Sequence, residues 1–512
     1  MDATKHVAKN LKFILASELI LAALKFASRR VFVFTLGKAY LGLNGLFSDI
    51  LSALSLAELG FGVSITYSLY RPVAQGDTEL IKSLVRLYRR VYRTVGAAVL
   101  AAGLALSPFL NFFVKEMPGD IPSIPLIYAL TVVNTGISYF WSYKSTLLFV
   151  YQKKYIDATV RTVVALFATG AQITVLLLTH NYVYYLYIAV VATLVQNMVV
   201  SAQADRLYPF LREREARPLP EEVLGDIRRN VGAMILHRIG SVAVFSTDNL
   251  LISKFVGIET TGLYSNYMML RGLLNIAVNA LSNAVMPALG NLTVTSTVQE
   301  KRTAFRRLNF CAAWLFGWMS ICLLCLYDPF IELWLGAGYL LPSGTVLLIV
   351  VNFYITSMRI PVANSKSVMG LFWDERYKSI FEALVNLGVS IVLARRWGIA
   401  GVLTGTLIST MSMPFWIEPL GLFRYGLKQA PGEYFSCYFF HLAVAAAAGG
   451  LTKLLCGITE TNILGFLWKA LLCAVVPNMV CLVVYWRMPE MRFLKELFTR
   501  MGTDRKKRGP CG

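Results

Sequence analysis

The stretch AALKFASRRVFVFTLG, residues 22 to 37, is apolar enough to cross a membrane, yet Lys25, Arg29 and Arg30 stand in its middle. A charge near the centre of a bilayer costs about 2.5–3.5 kcal/mol even on the gentler insertion scale, so it must face protein or water. At about 100° per helical residue, Glu18, Lys25 and Arg29 fall within about 40° of one another and form one stripe. Arg30 points about a quarter-turn away. Similar polar stripes run through other apolar stretches: Tyr264, Arg271, Asn275 and Ser282; Asn352, Thr356, Arg359 and Lys366; Asn44, Ser48, Ser55 and Glu58. His237, Ser241 and Asp248 align on a further one with Arg238 beside them, and Asp157 and Arg161 have the i, i+4 spacing of a local ion pair.

Buried Arg and Lys outnumber buried carboxylates, which suggests an anionic ligand. Arginine's planar fork can give a phosphate two parallel hydrogen bonds. Arg29, Lys25, Arg271 and Arg359 are therefore the candidate binding residues. Arg271 and Arg359 have interhelical structural contact as their alternative, and Arg30, Lys144 and Arg161 have snorkelling toward an interface. Asp248 and Glu18 are candidates for coupling to Na+ or H+, with pairing to a basic neighbour as the plainer reading of Asp248. Seven of the eight cysteines lie in apolar runs, and the CxxC pair Cys322 and Cys325 is read as core packing, so no metal site is expected. No nucleotide-binding glycine loop or nucleophile triad rises above chance, so no cofactor and no enzyme activity are expected.

The elements that must carry these residues are membrane spans. The chain of 512 residues is 56% hydrophobic and 15% charged, with a mean hydropathy of +0.58. About 20 apolar residues cross a hydrocarbon core. By that measure about fourteen helices are expected, near 13–36, 44–68, 90–114, 122–149, 157–178, 182–205, 230–253, 261–289, 308–334, 341–368, 378–394, 399–423, 433–455 and 462–486. The basic N-terminus is read as the start of an uncleaved first helix. With both termini cytoplasmic, most of the 49 lysines and arginines fall in cytoplasmic connections, as the positive-inside rule requires. The formal charge of +20 thus fits topology without nucleic acid as a partner.

The polar stretch RLYPFLREREARPLPEEVLGDIRRN (206–230) divides the chain like a hinge. Offset by 220 residues, LGKAYLGLNG (36–45) lies on VGIETTGLYS (256–265), matching Gly37 with Gly257, Gly42 with Gly262 and Leu43 with Leu263. KKYIDA (153–158) and ERYKSI (375–380) recur at nearly the same offset. The expected organisation is an N-terminal lobe of six helices (1–207), a cytoplasmic linker (208–229) and a C-terminal lobe of six (230–425). Two extra helices (426–486) and a basic cytoplasmic tail (487–512) follow, the tail lying on the anionic inner leaflet. The fold class is an all-α polytopic membrane protein with its two six-helix lobes in pseudo-twofold arrangement.

LGKAYLGLNGLFSDILSALSLAELGFGVSITYSLYRPVAQGD (36–77) closely resembles the first-to-second-helix region of bacterial oligosaccharide flippases of the polysaccharide transporter family. STDNLLISKFVGIETTGLYSNY (246–267) and FIELWLGAGY (330–339) resemble that family's second half. The family belongs to the larger multidrug, oligosaccharidyl-lipid and polysaccharide exporter group, and the resemblance covers most of residues 10–425. It implies a flippase that carries an undecaprenyl-diphosphate-linked oligosaccharide from the cytoplasmic to the outer leaflet of the bacterial cytoplasmic membrane, through a cationic cavity by alternating access. The implied partners are that lipid-linked oligosaccharide, membrane lipids, and a glycan polymerase or other assembly proteins. Tyr40, Tyr264, Tyr267 and Trp141 could then stack on sugar rings, although packing and interface roles are commoner for such residues.

Two rivals stay in view. A cation-coupled exporter of small molecules or drugs should favour acidic rather than basic cavity residues. A membrane glycosyltransferase or polymerase needs catalytic carboxylates on sizeable outer loops, and the longest expected here lies near 115–121.

Overall fold

The computed structural model describes residues 2–55, 61–115, 121–213, 217–229, 231, 247–371, 378–492 and 495–496. Among them the regular secondary structure is helical throughout. Among the described residues, eight helical segments are long and apolar enough to cross a membrane, and nine if one bent pair is counted as a single span. Each expected span meets a helix where its residues are described, 232–246 of the seventh lying outside them, and the protein is an all-helical polytopic membrane protein. Its contacts divide into two compact units, Met1–Ser265 and Asn266–Gly512.

The first unit begins with α1 (Asp2–Leu36), α2 (Lys38–Leu54) and α3 (Phe61–Gln75), followed by α4 (Thr78–Ala105) and the short α5 (Leu110–Phe113). Three long helices follow, α6 (Ile124–Val150), α7 (Lys154–Thr179) and α8 (Tyr182–Leu207). Next come α9 (221–229) and α10 (Asp248–Phe255). Two boundaries differ from the expected spans. The single span expected over 44–68 is divided between α2 and α3. The third span begins at Thr78 rather than 90, because Asp77 caps the helix by accepting from the Leu80 N–H at 3.0 Å. A cap lets a helix start in polar sequence that hydropathy alone does not count. The α4–α5 pair bends by 42° at Ser107–Phe109, where Pro108 falls.

Tyr88, Tyr92, Tyr139, Tyr143, Leu147 and Ala204 are buried at the heart of the first unit. Ile227, from the expected linker, and Val231, just beyond it, are buried in the same cluster, so α9 lies packed on this unit. On α7 and α8, Leu166, Phe167, Leu178 and Tyr184 are exposed, the surface lipid tails would cover.

The second unit holds most of α11 (Ile258–Thr295), then α12 (Val298–Leu335), α13 (Ser343–Met358), α14 (Ile360–Met369) and α15 (Lys378–Trp397). It ends with α16 (Ile399–Ser412), α17 (Pro414–Gly421), α18 (Gly432–Cys456) and α19 (Ile463–Tyr485). Thr297 and Glu300 form a capping box that starts α12 well before its apolar run. Two expected spans are broken, the tenth at Arg359 just before Pro361 and the twelfth at Met413 just before Pro414. Proline lacks the N–H that a continuous helix would use there. The last two spans pack on α12: Trp318 donates to the Cys473 carbonyl at 2.9 Å and Trp314 to Asn478 at 2.8 Å.

The repeat is visible in detail at the junction of α2 with α11. Gly37 and Gly257 stand at equivalent positions before these helices, with φ of +85° and +138°. Both values lie where glycine alone is comfortable. A Cβ on Gly42 would run into the Ile258 carbonyl, and one on Gly262 into the Lys38 carbonyl. Residues 38 and 258 are themselves related by the 220-residue offset, so each glycine's obstacle is the other copy's equivalent residue. That reciprocal exchange is what a local twofold relation produces, and small residues are what allow membrane helices to approach so closely.

Gly42→Ala and Gly262→Ala should therefore each lower the melting temperature of the detergent-solubilised protein, by the equivalent of about 1–3 kcal/mol for overpacking. Gly170→Ala, where a Cβ meets open space inside α7, should leave it unchanged or raise it slightly.

Candidate functional site

α1 presents its charges in three different settings. Glu18 forms an ion pair with Arg161 of α7. Arg161 thus finds its partner on another helix rather than in Asp157, which accepts instead from Ser145 at 3.1 Å. Lys25 is exposed and makes no ion pair among the described residues. Arg29, half-buried, donates from Nη2 to the Ser265 hydroxyl at 2.5 Å. Beside it is an aromatic group in which Phe32 meets Tyr182 and Tyr185 edge-on at 5.2 and 5.6 Å. Arg30 is exposed and lies over the Phe34 ring at 5.7 Å. Of the stripe expected from spacing, Glu18 is paired with Arg161, while Lys25 has no ion pair among the described residues.

Arg29 has a counterpart. Its equivalent at the 220-residue offset is Asn249, whose Nδ2 donates to Asp49 Oδ2 at 2.7 Å. Arg29 reaches from the first copy of the repeat to α11, and Asn249 reaches from the second copy to α2. Asp248 accepts from the Tyr264 hydroxyl at 3.4 Å and lies within Coulombic reach of Asp49. Asp49 is a member of this cluster that periodicity alone missed. It falls beside, not within, the Asn44–Ser48–Ser55 stripe, although a carboxylate inside an apolar run is signal enough on its own. His237, Arg238, Ser241 and Glu58 lie outside the described residues.

In the second unit Arg271 is half-buried near Tyr327, with its Nε unpartnered and no ion pair among the described residues. Farther along the same helix Ser282 accepts from Asn364 at 2.6 Å. Arg359 is in a different position. It stands at the α13–α14 break and binds Glu418 of α17 with two parallel hydrogen bonds, Nε to Oε2 at 3.1 Å and Nη2 to Oε1 at 2.6 Å. Its Nη1 meets Glu382 of α15 at 3.0 Å, and Lys378 meets Glu418 at 2.5 Å. Two cations and two buried carboxylates close a neutral network joining three spans, two of them broken by proline. A phosphate could use Arg359 only by displacing a carboxylate. Lys144 is likewise engaged, by Asp205 and Ser201 at 2.7 Å each.

A cavity of about 550 Å³ opens in the first unit, lined by Lys82, Arg86, Arg89, Trp141, Lys144 and Glu213 among others. Arg86 and Arg89 read in sequence only as topology signals; here they face a space that also holds an indole. Of the other proposed stacking residues, Tyr40 meets Tyr182 edge-on at 5.5 Å, and Tyr267 is buried, donating to Asp328 at 2.7 Å.

No family model and no curated protein sequence matches the chain. Solved structures do. The lipid II flippase MurJ in an inward closed conformation aligns with a TM-score of 0.63 at 12% identity, over 92% of this chain and 98% of that one. An inward-facing multidrug resistance MATE family transporter of the MOP superfamily aligns at 0.62 and 16%, over 79% and 94%. A MOP superfamily transporter from Pyrococcus furiosus, whose binding pocket of reverse polarity suggests a different function for it, aligns at 0.55 and 16%, over 83% and 97%. At such identities the likeness establishes the fold, which is the one these transporters share.

Removing one member of the Arg359 network strands an uncompensated buried charge, which costs about 3–5 kcal/mol. Arg359→Ala should accordingly show a sharply reduced folded yield and melting temperature in detergent. Arg359→Met combined with Glu418→Gln should recover part of that loss.

Proposed function

We propose that this protein is a flippase that moves a polyprenyl-diphosphate-linked oligosaccharide from the cytoplasmic to the outer leaflet by alternating access. The observation that carries the reading is the state of the cations inside the spans. Arg271 has an unpartnered Nε and no ion pair among the described residues, and Lys25 has none either. Cations placed in a membrane without carboxylates to neutralise them suit a ligand that brings its own negative charge, and a diphosphate does so in a geometry that arginine matches. The fold shared with a lipid II flippase adds support from a protein whose substrate is lipid-linked.

In this mechanism Arg29, Lys25 and Arg271 engage the diphosphate while the lipid tail stays in the bilayer. Arg359 serves chiefly to hold its broken helices, and contributes to binding only in a state that releases Glu418. The cavity at Arg86, Arg89 and Trp141 offers a basic and aromatic surface that a sugar-bearing phosphate could meet on the cytoplasmic side, with both termini on that side. An inside-negative potential favours outward movement of an uncompensated negative charge by about 2.3 kcal/mol per charge per 100 mV. That help disappears if the bound cations travel with the phosphate. The ligand then biases the conformations only through a difference in its affinity for them.

A second reading, cation-coupled export of small molecules, draws on the cluster of Asp49, Asp248 and Asn249. Such a cluster could also couple flipping to Na+ or H+. Glu18 is the less suited of the two candidates, because its carboxylate is already held by Arg161.

Deleting the gene in its own bacterium and extracting the lipids should reveal an accumulated polyprenyl-diphosphate oligosaccharide by mass spectrometry. The native protein should clear it. Arg29→Ala should not, at unchanged membrane abundance, and Arg271→Ala should clear it at a rate lowered about tenfold or more, as loss of a charge-assisted contact of about 1.5–3 kcal/mol implies. A fully active Arg29→Ala would remove that residue from the substrate path. Absence of any lipid-linked sugar, with other flippases also deleted, would turn the assignment to small-molecule export.

A further inference from the structure

Sequence spacing assigned Cys322 and Cys325 to core packing, because a lone CxxC in an apolar helix has nothing to chelate with. The fold supplies the missing donors. Cys325 from α12, Cys456 from the end of α18 and Cys473 from α19 are all buried, and their three Sγ atoms lie within 4.8 Å of one another. Cys322, one helical turn before Cys325, is partly buried and packs against the same cluster. Three of the seven cysteines among the described residues thus converge from three helices, with Cys322 beside them, and all four remain thiols.

We propose that Cys322, Cys325, Cys456 and Cys473 form a structural zinc site that fastens the two C-terminal spans to α12. Zinc takes four thiolates in a tetrahedron at about 2.3 Å, which separates the sulfurs by about 3.8 Å. Cys325, Cys456 and Cys473 need only a small contraction to reach that spacing, and Cys322 is the neighbouring thiol that would complete the four. Ile321 and Ala448 enclose it in apolar contacts, as a closed structural site requires. Each thiol gives up one proton on binding, so four thiolates around Zn2+ carry a net charge of −2.

Charge is the second, independent observation. An anionic centre inside a membrane needs compensation. Lys469 is buried in the second turn of the largely apolar α19, and it lies within Coulombic reach of Cys456. Lys453, exposed in the last turn of α18, lies within Coulombic reach of Cys325 and also of Asp328. The buried Lys469, helped by Lys453, is placed to offset part of the negative charge that zinc binding creates.

The full-length chain, purified in detergent with a non-chelating reductant, loaded with zinc and desalted, should hold about one zinc per chain by elemental analysis. Cys325→Ser with Cys473→Ser should lower that at least tenfold while eluting as the same monodisperse peak. Cys311→Ser with Cys481→Ser, outside the cluster, should retain it. Zinc should also raise the melting temperature of the native chain and the control but not of the Cys325/Cys473 variant, and should protect Cys456 from maleimide. Zinc content in the native chain no higher than in the Cys325/Cys473 variant would overturn the proposal, as would a disulfide within the cluster in the protein as isolated.

Discussion

A charge inside a hydrocarbon layer must find a counter-charge, a hydrogen-bonding partner or water, and this constraint organises the whole chain. It sorts the intramembrane cations into two kinds. Arg359 with Lys378, Lys144 and Arg161 are neutralised by carboxylates on neighbouring helices. They act as cross-links, holding together spans that hydrophobic packing alone orients weakly, since lipid tails are as apolar as the helices themselves. Lys25 and Arg271 have no ion pair among the described residues. The first kind gives rigidity. The second kind is electrostatically incomplete without an anion, which is why the substrate reading rests on it.

The local twofold relation shows how the same scaffold came to hold both chemistries. At the junction of α2 and α11 the backbone obeys the repeat closely, down to reciprocal glycine contacts and two positive-φ glycines. The side chains do not. Where the first copy has Arg29, the second has Asn249, and the partners are a serine and an aspartate. Backbone symmetry is enforced by close approach, which tolerates no Cβ; side-chain symmetry carries no such requirement.

Nearly all of the helical organisation was legible in the sequence, because the length of an apolar run is fixed by the thickness of the bilayer. What hydropathy missed were polar helix starts, at Asp77 and Thr297, where capping rather than burial decides, and proline breaks, at Arg359 and Met413, where a missing donor decides. Periodicity singled out Arg29, Lys25, Arg271, Arg359, Glu18 and Asp248 as candidates, since a polar stripe is a property of one helix. It could not find who pairs with whom. Arg359 and Glu418 are 59 residues apart, Glu18 and Arg161 are 143 apart, and the convergence of Cys325, Cys456 and Cys473 depends on the packing of three separate helices.

The neutral network also bears on how the chain can move. Arg359 and Glu418 lie beside the two proline breaks, where the helical ladder is interrupted and bending costs least. A bidentate pair bridging two such breaks resists independent bending of either, because separating the groups would expose both charges to a poor dielectric. The broken helices must then move together or exchange partners. Lys378, already bound to the same Glu418 oxygen, gives the carboxylate a second cation to hold if Arg359 turns away. The network is thus built to keep Glu418 compensated in more than one arrangement, which is the property an alternating mechanism requires of a buried charge.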